Sequence, residues 1–235
     1  MIEIKNITKK FGSLVAVNDV SLTIPDDTCF ALLGLNGAGK TTLINILSTQ
    51  ISATSGSATL NGHDINKDRD EVRKIVNISP QESAVAKNLT VRENLELIAT
   101  LYGISDPSTI ERAIEEFGLK EKENVLCKKL SGGQLRRLSI ALAIISKPQI
   151  LFLDEPTLGL DVKARKLLWD IVEKLKKQMT IILTTHYLEE VESLADNVAI
   201  ISRGKIKACG TLDEIKKISG QESLEKAFLL LTEEE

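Results

Sequence analysis

The sequence predicts an α/β fold with a mostly parallel sheet, an antiparallel β subdomain at the N-terminus and an inserted helical subdomain. After Pro148, strand-like and helix-like segments alternate, which is typical of parallel strands whose connecting helices cover both faces of the sheet. Before that point, the pattern is strand-like up to about residue 60 and helix-like from about residue 83 to residue 145.

The N-terminal segment favours several short strands. Its apolar residues recur in a strand-like manner and are interrupted by Gly12 and Pro25, and the recurring residues are Ile2, Ile4, Ile7, Val15, Val17, Val20, Leu22 and Ile24. A hairpin is expected further on, where Ser57 to Leu60 is followed by Asn61-Gly62, a strong turn signal.

A glycine-rich segment from Gly34 to Thr42 lies between a predicted strand, Phe30 to Leu33, and a predicted helix, Thr41 to Thr49. Its fixed positions fit the phosphate-loop pattern, and its members are Gly34, Leu35, Asn36, Gly37, Ala38, Gly39, Lys40, Thr41 and Thr42. Backbone amides and the helix N-terminus would bind an anion, Lys40 would reach the β- and γ-phosphates, and Thr41 would hold Mg²⁺. The alternative, a glycine-rich structural turn, explains neither Lys40 nor Thr41.

Two carboxylates, Asp154 and Glu155, follow the apolar strand Ile150 to Leu153. Ligands bind at the carboxyl edge of such strands. We expect Asp154 in the Mg²⁺ shell and Glu155 as a general base that polarises an attacking water. Surface acids at a strand end are the alternative, and the presence of the phosphate loop disfavours it.

The central region has the start and stop signals of helices. Thr90 with Glu93 and Ser108 with Glu111 form the capping-box pattern, and Gly103 and Gly118 are plausible C-terminal stops. Leu130-Ser131-Gly132-Gly133-Gln134 precedes an apolar helical stretch, Leu135 to Ile145. A capping box accounts for Ser131 and Gln134 but not for two glycines, which suit close approach of an anion to bare amides.

The last third of the chain completes the alternation. We predict a helix from about Val162 to Lys177, a strand from Thr180 to Leu183, a helix from about Leu188 to Ala195 and a strand from Val198 to Ile201. The closing glutamates, Glu233 to Glu235, indicate a solvated end.

Composition limits the function. With 43% hydrophobic and 27% charged residues among 235, the chain is a globular type. A formal charge of -3 and few aromatic residues argue against nucleic-acid binding. The longest apolar run, Ile140 to Ile145, is too short to span a bilayer, and the N-terminus shows no secretory signal, so we expect a cytoplasmic chain. Cys29, Cys127 and Cys209 match no metal-binding spacing and favour ordinary reduced thiols over a metal site.

The pentapeptide Leu130 to Gln134, placed between a phosphate loop and an Asp-Glu strand end, resembles the signature of ABC ATPases, and nearly the whole chain resembles their nucleotide-binding domain. The resemblance implies a P-loop NTPase (RecA-like) core at 1–82 and 146–220, a helical subdomain at 83–145 and a C-terminal tail at 221–235.

Further residues match the family in order. Phe11 resembles the residue that stacks on adenine, with Val17 nearby, although a core phenylalanine is the alternative. Gln81 resembles the glutamine that touches Mg²⁺ and water. Leu158 to Asp161 resembles the D-loop. His186 resembles the switch histidine that contacts the γ-phosphate, where a structural histidine is the alternative.

The resemblance also implies a mechanism and partners. Two such domains pair head to tail and trap ATP between one phosphate loop and the partner's Ser131, Gly133 and Gln134. Hydrolysis with Glu155 as base then lets them part. A separate membrane-spanning subunit would hold the ATPase at the inner face of the cell membrane.

Export is the expected direction, because three segments resemble ATPases of the ABC-2 type: Leu89 to Asn94, His186 to Glu190 and Ser223 to Leu229. For the last segment, an amphipathic C-terminal helix is the alternative. The competing function is a soluble ABC ATPase that drives an assembly or nucleic-acid process.

The sequence departs from the family at one turn, where Pro25-Asp26-Asp27-Thr28 stands in place of the common Gly-Glu pair. Since aspartate tolerates positive φ, we expect an altered turn and intact chemistry.

Overall fold

The computed structural model of the chain describes residues 1–82 and 84–233. Ser83, where the helical subdomain is predicted to begin, lies outside the described residues, as do Glu234 and Glu235 of the predicted solvated end. Within the described ranges, the structure is an α/β fold with two sheets, which confirms the predicted fold class.

The larger sheet has six strands, five of them parallel. Its spatial order is β10 (Lys205–Gly210), β9 (Asn197–Ser202), β3 (Cys29–Leu33), β8 (Thr180–Thr185), β7 (Ile150–Asp154) and β6 (Val76–Ser79). The strand β10 pairs with β9 in the antiparallel direction. The strands β3 and β7 lie next to β8 on opposite sides. Their carboxyl ends therefore bring the predicted phosphate loop and the Asp-Glu pair to one edge.

The smaller sheet is antiparallel, in the order β2 (Leu14–Ile24), β1 (Ile2–Phe11), β4 (Ser55–Leu60) and β5 (His63–Asp64). The prediction of several short N-terminal strands was wrong, since β1 and β2 are long. Asn6 and Asp19 have positive φ where the register shifts, and Asn6 Nδ2 donates to Asp19 Oδ1 at 2.9 Å. These irregularities bend the ribbon without ending a strand. The hairpin predicted at Asn61-Gly62 is confirmed by the pairing of β4 with β5.

Helices cover both faces of the larger sheet. Their bounds are α1 (Lys40–Leu47), α2 (Arg69–Ile75), α3 (Val91–Leu101), α4 (Pro107–Glu116), α5 (Gly132–Ile144), α6 (Val162–Leu175), α7 (Leu188–Leu194), α8 (Leu212–Ser219) and α9 (Leu224–Thr232). The strand β3 is apolar along its whole length because both of its faces are buried. Phe30 and Leu32 pack in one core with α1 and the smaller sheet, whereas Ala31 and Leu33 pack in the other core with most of the remaining helices.

The helices α3, α4 and α5 lie within the segment predicted as an inserted subdomain. Thr90 and Glu93 form the predicted capping box of α3, and Gly103 and Gly118 follow the ends of α3 and α4 with positive φ. The subdomain bounds at 83–145 stay a prediction.

The capping box predicted at Ser108 is wrong. Asp106 is the N-cap of α4, where its side chain accepts from Ser108 N at 3.0 Å, and Pro107 occupies the first helical position. Proline at the first helical position has no N–H group, but that group would have no hydrogen-bond partner within the helix in any case. Aspartate is one of the preferred N-cap residues. The helix therefore begins two residues earlier than the serine pattern indicates.

The turn before β3 agrees with its prediction. Asp27 has φ +53°, and its amide donates to Thr180 Oγ1 at 3.0 Å. Thr28 Oγ1 donates to Pro25 O at 2.9 Å. The aspartate thus adopts the left-handed conformation for which glycine is the usual residue.

Candidate nucleotide site

A cavity of about 480 Å³ opens at the carboxyl edge of the larger sheet. Residues from the smaller sheet, the glycine-rich loop and the ends of the central strands line it together. They are Phe11, Leu14, Ala16, Asn36, Gly37, Ala38, Gly39, Lys40, Thr41, Thr42, Gln81, Glu155, Leu158 and His186. Most of the side chains that the sequence predicts for nucleotide binding and hydrolysis therefore meet in one place.

The loop after β3 can form only with glycine at two of its positions. Gly39 has φ +105°, and a Cβ on it would lie 2.4 Å from Ala16 O. A Cβ on Gly34 would lie 2.4 Å from Ile201 O. Gly39 is also the N-cap of α1, and α1 has no acidic residue in its first turn. The unpaired amides and the positive end of the helix dipole therefore face the cavity without a local anion.

Lys40 lies inside this loop and is 5% exposed. Its Nζ donates to Gly34 O at 2.7 Å and to Leu35 O at 3.2 Å, and it forms an ion pair with Glu155 Oε1 at 3.0 Å. The cation thus contacts the loop carbonyls and the predicted general base at the same time. An anionic ligand in the cavity would compete with Glu155 for this ammonium group.

Glu155 is held in a conformation that residues other than glycine rarely adopt. Its φ is +46°, and its amide contacts Thr184 O and Thr184 Oγ1, both at 3.1 Å. This strained turn directs the side chain into the cavity rather than along the strand. The second carboxyl oxygen, Oε2, lies 2.8 Å from His186 Nδ1, which donates when it is protonated. The predicted base and the predicted switch histidine are therefore direct neighbours.

Thr41 lines the cavity and contacts Asp154, which is itself buried and does not line the cavity. Thr41 Oγ1 donates to the two carboxyl oxygens of Asp154 at 3.1 and 3.0 Å, and Thr184 Oγ1 also donates to this carboxylate. A hydroxyl and a carboxylate that converge in this way are the oxygen ligands that Mg²⁺ prefers, and Gln81 lines the same cavity. No group of three or more His, Cys, Asp or Glu side chains suited to a metal exists among the described residues.

Phe11 is 49% exposed at the mouth of the cavity, with Lys9 Nζ 5.0 Å from the centre of its ring. The structure thus excludes the alternative of a core phenylalanine. Val17 takes a different position from the predicted one. It is fully buried in the core, whereas Leu14 and Ala16 line the cavity. The alternation along β2 could have indicated this, because residues 15 and 17 share one face and residues 14 and 16 the other.

The signature residues Ser131, Gly133 and Gln134 do not line this cavity. Ser131 and Gln134 form a capping box at the start of α5, with Ser131 N donating to Gln134 Oε1 at 2.9 Å. A Cβ on Gly133 would lie 2.8 Å from the Ala164 Cβ, so close packing on α6 explains this glycine. A Cβ on Gly132 would meet nothing within 4 Å. One copy of the chain does not bring the signature to Lys40.

Sequence reasoning missed Arg136, which connects the site to α5. Its guanidinium is buried and donates to Asp154 O at 2.8 Å, to Pro156 O at 2.9 Å and to Pro80 O. Burial lowers the pKa of Arg136 to about 10, so it stays charged at neutral pH. The signal was its place on the buried face of α5, three to four residues before the buried Ser139 and Ile140.

Comparisons with known proteins place this geometry in a family. The model of the family described as "ABC transporter" matches residues 17–158. The daunorubicin/doxorubicin resistance ATP-binding protein DrrA of Streptomyces peucetius is 40% identical over 95% of this chain and 69% of its own length. ABC transporter A family member 6 of Dictyostelium discoideum is 44% identical over 94% of this chain. The chain spans only 14% of the length of that protein.

Solved structures agree with the sequence comparisons. An ATP-binding subunit of an ABC transporter superposes with a TM-score of 0.89 at 29% identity, covering 99% of this chain and 100% of the other. A dimeric ATP-binding cassette in a post-hydrolysis state, bound to ADP and Pi, gives a TM-score of 0.80 at 26% identity, covering 90% of this chain and 99% of the other. The chain therefore belongs to the ABC transporter family and is an ATPase domain of that family.

Proposed function

We propose that this chain is the ATPase subunit of an exporter whose membrane-spanning part is a separate chain, and that ATP closes two copies of the ATPase head to tail. The observation that carries the proposal is the constellation of Lys40, Glu155 and His186, in which one carboxylate contacts Lys40 Nζ at 3.0 Å and His186 Nδ1 at 2.8 Å in one cavity. Relatives that are named for drug resistance or for phospholipid transport support export.

The residues predicted for the site have distinct roles in this proposal. Phe11 stacks on the base, and the loop amides with Lys40 bind the phosphates. Thr41, Asp154 and Gln81 would hold a magnesium ion, which supplies charge neutralisation at the phosphates. Glu155 accepts the proton of the attacking water, and His186 orients that carboxylate and reaches the terminal phosphate.

The signature residues act on the partner's nucleotide. Ser131 and Gly132 are exposed at the N-terminus of α5, where amides and the helix dipole favour an anion. Because these residues do not line the chain's own cavity, a second copy must bring them to it. The dimeric structural relative supports such pairing.

Ser131→Arg should therefore abolish ATP-dependent dimer formation and lower the ATPase rate at least tenfold, because a bulky cation would occupy the contact surface between the two copies. We expect the thermal midpoint to change little. Thr211→Arg is the matched control, because Thr211 also forms a capping box with a glutamate three residues later, on α8. Gel filtration and phosphate release measure the two effects. Normal hydrolysis by the Ser131 variant would contradict the shared site.

The membrane partner is proposed to dock on the outer face of α3. Leu97 is 46% exposed, Leu101 73% and Tyr102 50%, which makes an apolar surface beside β6. Tyr102 OH donates to Asn77 Oδ1 at 2.9 Å, and Asn77 lies four residues before Gln81. A partner on this face would be connected to the cavity through the segment that carries Gln81. Among the described residues, no helix combines the length and hydropathy needed to cross a bilayer.

Co-expression with a candidate membrane subunit tests the transport proposal. We expect the wild-type chain to be recovered in the membrane fraction. For Leu101→Asp, the amount recovered there should fall at least fivefold. Leu230→Asp, which changes an exposed leucine on α9, should stay membrane-bound. Recovery of the wild type only in the soluble fraction, for each membrane subunit encoded nearby, would favour the competing function of a soluble ABC ATPase.

A further inference from the structure

A buried glutamate lies behind the catalytic pair and has no role in the function proposed so far. Glu190 is on α7, four residues after His186, and is fully buried. Among the described residues, neither of its carboxyl oxygens has a hydrogen bond of ordinary geometry. Burying a carboxyl group without partners is costly, so a residue that only filled space would be apolar here.

Three hydrogen-bond donors surround this carboxyl group. They belong to Thr157 in the loop after β7, to Thr185 at the end of β8 and to Trp169 on α6. The Thr157 hydroxyl and the Trp169 indole nitrogen are themselves buried without another partner. Thr185 Oγ1 accepts from Tyr187 N at 2.9 Å, which leaves its hydroxyl hydrogen for Glu190. The carboxylate of Glu190, which can only accept hydrogen bonds, therefore faces three groups that can donate them.

Two of the donors belong to the loops that carry the catalytic pair. Thr157 is two residues after Glu155, and Thr185 immediately precedes His186. The distance of 2.8 Å between Glu155 Oε2 and His186 Nδ1 depends on how these two loops sit relative to each other. Glu190 lies where one side chain can contact both loops from behind.

We propose that Glu190 is a positioning residue for hydrolysis, which joins the Glu155 loop to the His186 loop through Thr157 and Thr185. Trp169 fixes the third side of the carboxyl group and so selects its rotamer. The inference rests on the proposed function, in which Glu155 is the general base. It predicts that changes at Glu190 reduce turnover without reducing ATP affinity, because Glu190 does not line the cavity.

Glu190→Gln should lower kcat about tenfold and leave the Kd for ATP unchanged. The amide has the size of the carboxyl group but only one acceptor oxygen, so at least one of the three donors must face its NH₂ group. A loss of this size is expected for one buried hydrogen bond. Glu192→Gln is the matched control, because it changes an exposed glutamate on the same helix. A Glu190→Gln variant with wild-type kcat would overturn the proposal.

A double variant separates positioning from general destabilisation. Thr157→Val removes the hydroxyl with little change in size and should also lower kcat about tenfold. If both side chains act through one contact, the variant with both changes should lose no more than about twentyfold. Losses that multiply to about a hundredfold would contradict the link. Thr157→Val also provides the test if the Glu190 variant does not fold.

Trp169 gives a readout that needs no ATP, because it is the single tryptophan of the sequence. Burial raises the pKa of Glu190 to about 7, with a smaller upward contribution from the charge of Glu155, while the three donors act in the opposite direction. The fluorescence of Trp169 should therefore change with a midpoint near pH 7. Other titratable or charged groups around this cluster are Glu155, His186, Arg136, Arg165, Glu189 and Cys29.

The variants assign this transition. Glu190→Gln should abolish it, whereas Glu155→Gln and His186→Ala should each keep it with a shifted midpoint. A transition that persists in Glu190→Gln would overturn the assignment of the buried carboxyl group. Since the measurement is made without ATP, it fails independently of the proposed ATPase mechanism, which is tested by turnover of the Glu155 variant.

Discussion

Glu155→Gln is expected to lower the ATPase rate at least 100-fold while ATP binding is retained and an ATP-bound dimer accumulates. General base catalysis contributes about 10² to 10⁴ in rate, and glutamine cannot accept the proton. The Glu155 side chain is 7% exposed, so few water molecules can reach the position of the lost carboxylate to act as acceptors. The backbone at residue 155 is strained by its φ of +46°, and an isosteric side chain leaves that strain unchanged.

The same substitution should leave ATP affinity equal to the wild type or increase it. In the structure, Lys40 Nζ is paired with Glu155 Oε1 at 3.0 Å. Removing the negative charge frees the ammonium group for the phosphates, and it also removes a carboxylate that would repel them. Slow hydrolysis with intact affinity keeps ATP between the two copies, so the dimer persists.

Phosphate release, nucleotide titration and gel filtration with ATP measure these three effects. Glu189→Gln is the control, because it changes an exposed glutamate that pairs with Arg165 at 3.1 Å. We expect its ATPase rate to stay within twofold of the wild type. Turnover of the Glu155 variant at the wild-type rate would falsify the base assignment, and a monomer in saturating ATP would contradict the role of hydrolysis in opening the dimer.

The sequence predicted those parts of the site in which a single local physical requirement determines the residue type. Gly39 is required by its φ and by the nearness of Ala16 O, and Asp154 and Glu155 lie at the carboxyl end of a buried strand, where ligands bind in such sheets. Such features are local, so they can be read from a short pattern. The turn at Asp27 was predictable for the same reason.

The features that were missed arose from competing local signals in two cases, Ser108 and Val17, and from tertiary context in the third, Arg136. Ser108 has the right spacing for a capping box, but Asp106 and Pro107 together start α4 earlier. Val17 was assigned to the cavity from the family resemblance, whereas the alternation along β2 places it in the core. The three carbonyl groups that Arg136 contacts lie in two separate loops and at a strand end. No local pattern contains this information.

Arg136→Ala should lower the free energy of unfolding by about 3 to 5 kcal/mol, the range for breaking a buried network of charged hydrogen bonds. The three carbonyl groups lose their donor in a place that water does not reach freely, since Arg136 is 4% exposed. Removal of the long side chain also leaves a cavity between α5 and the edge of the sheet. Urea denaturation measures the change.

Two variants test the cause of this loss. Arg136→Lys should lose an intermediate amount, because the ammonium group keeps the charge but cannot match the planar fork that contacts three carbonyl groups. Arg112→Ala changes an arginine on α4 whose side chain is 60% exposed and should cost less than about 1 kcal/mol. A loss below about 1 kcal/mol for Arg136→Ala would mean that the carbonyl groups find water or other donors. Since α5 carries Ser131 at its start, loosening this guanidinium should also misplace the signature relative to Asp154, and the ATPase rate should fall further than stability alone explains.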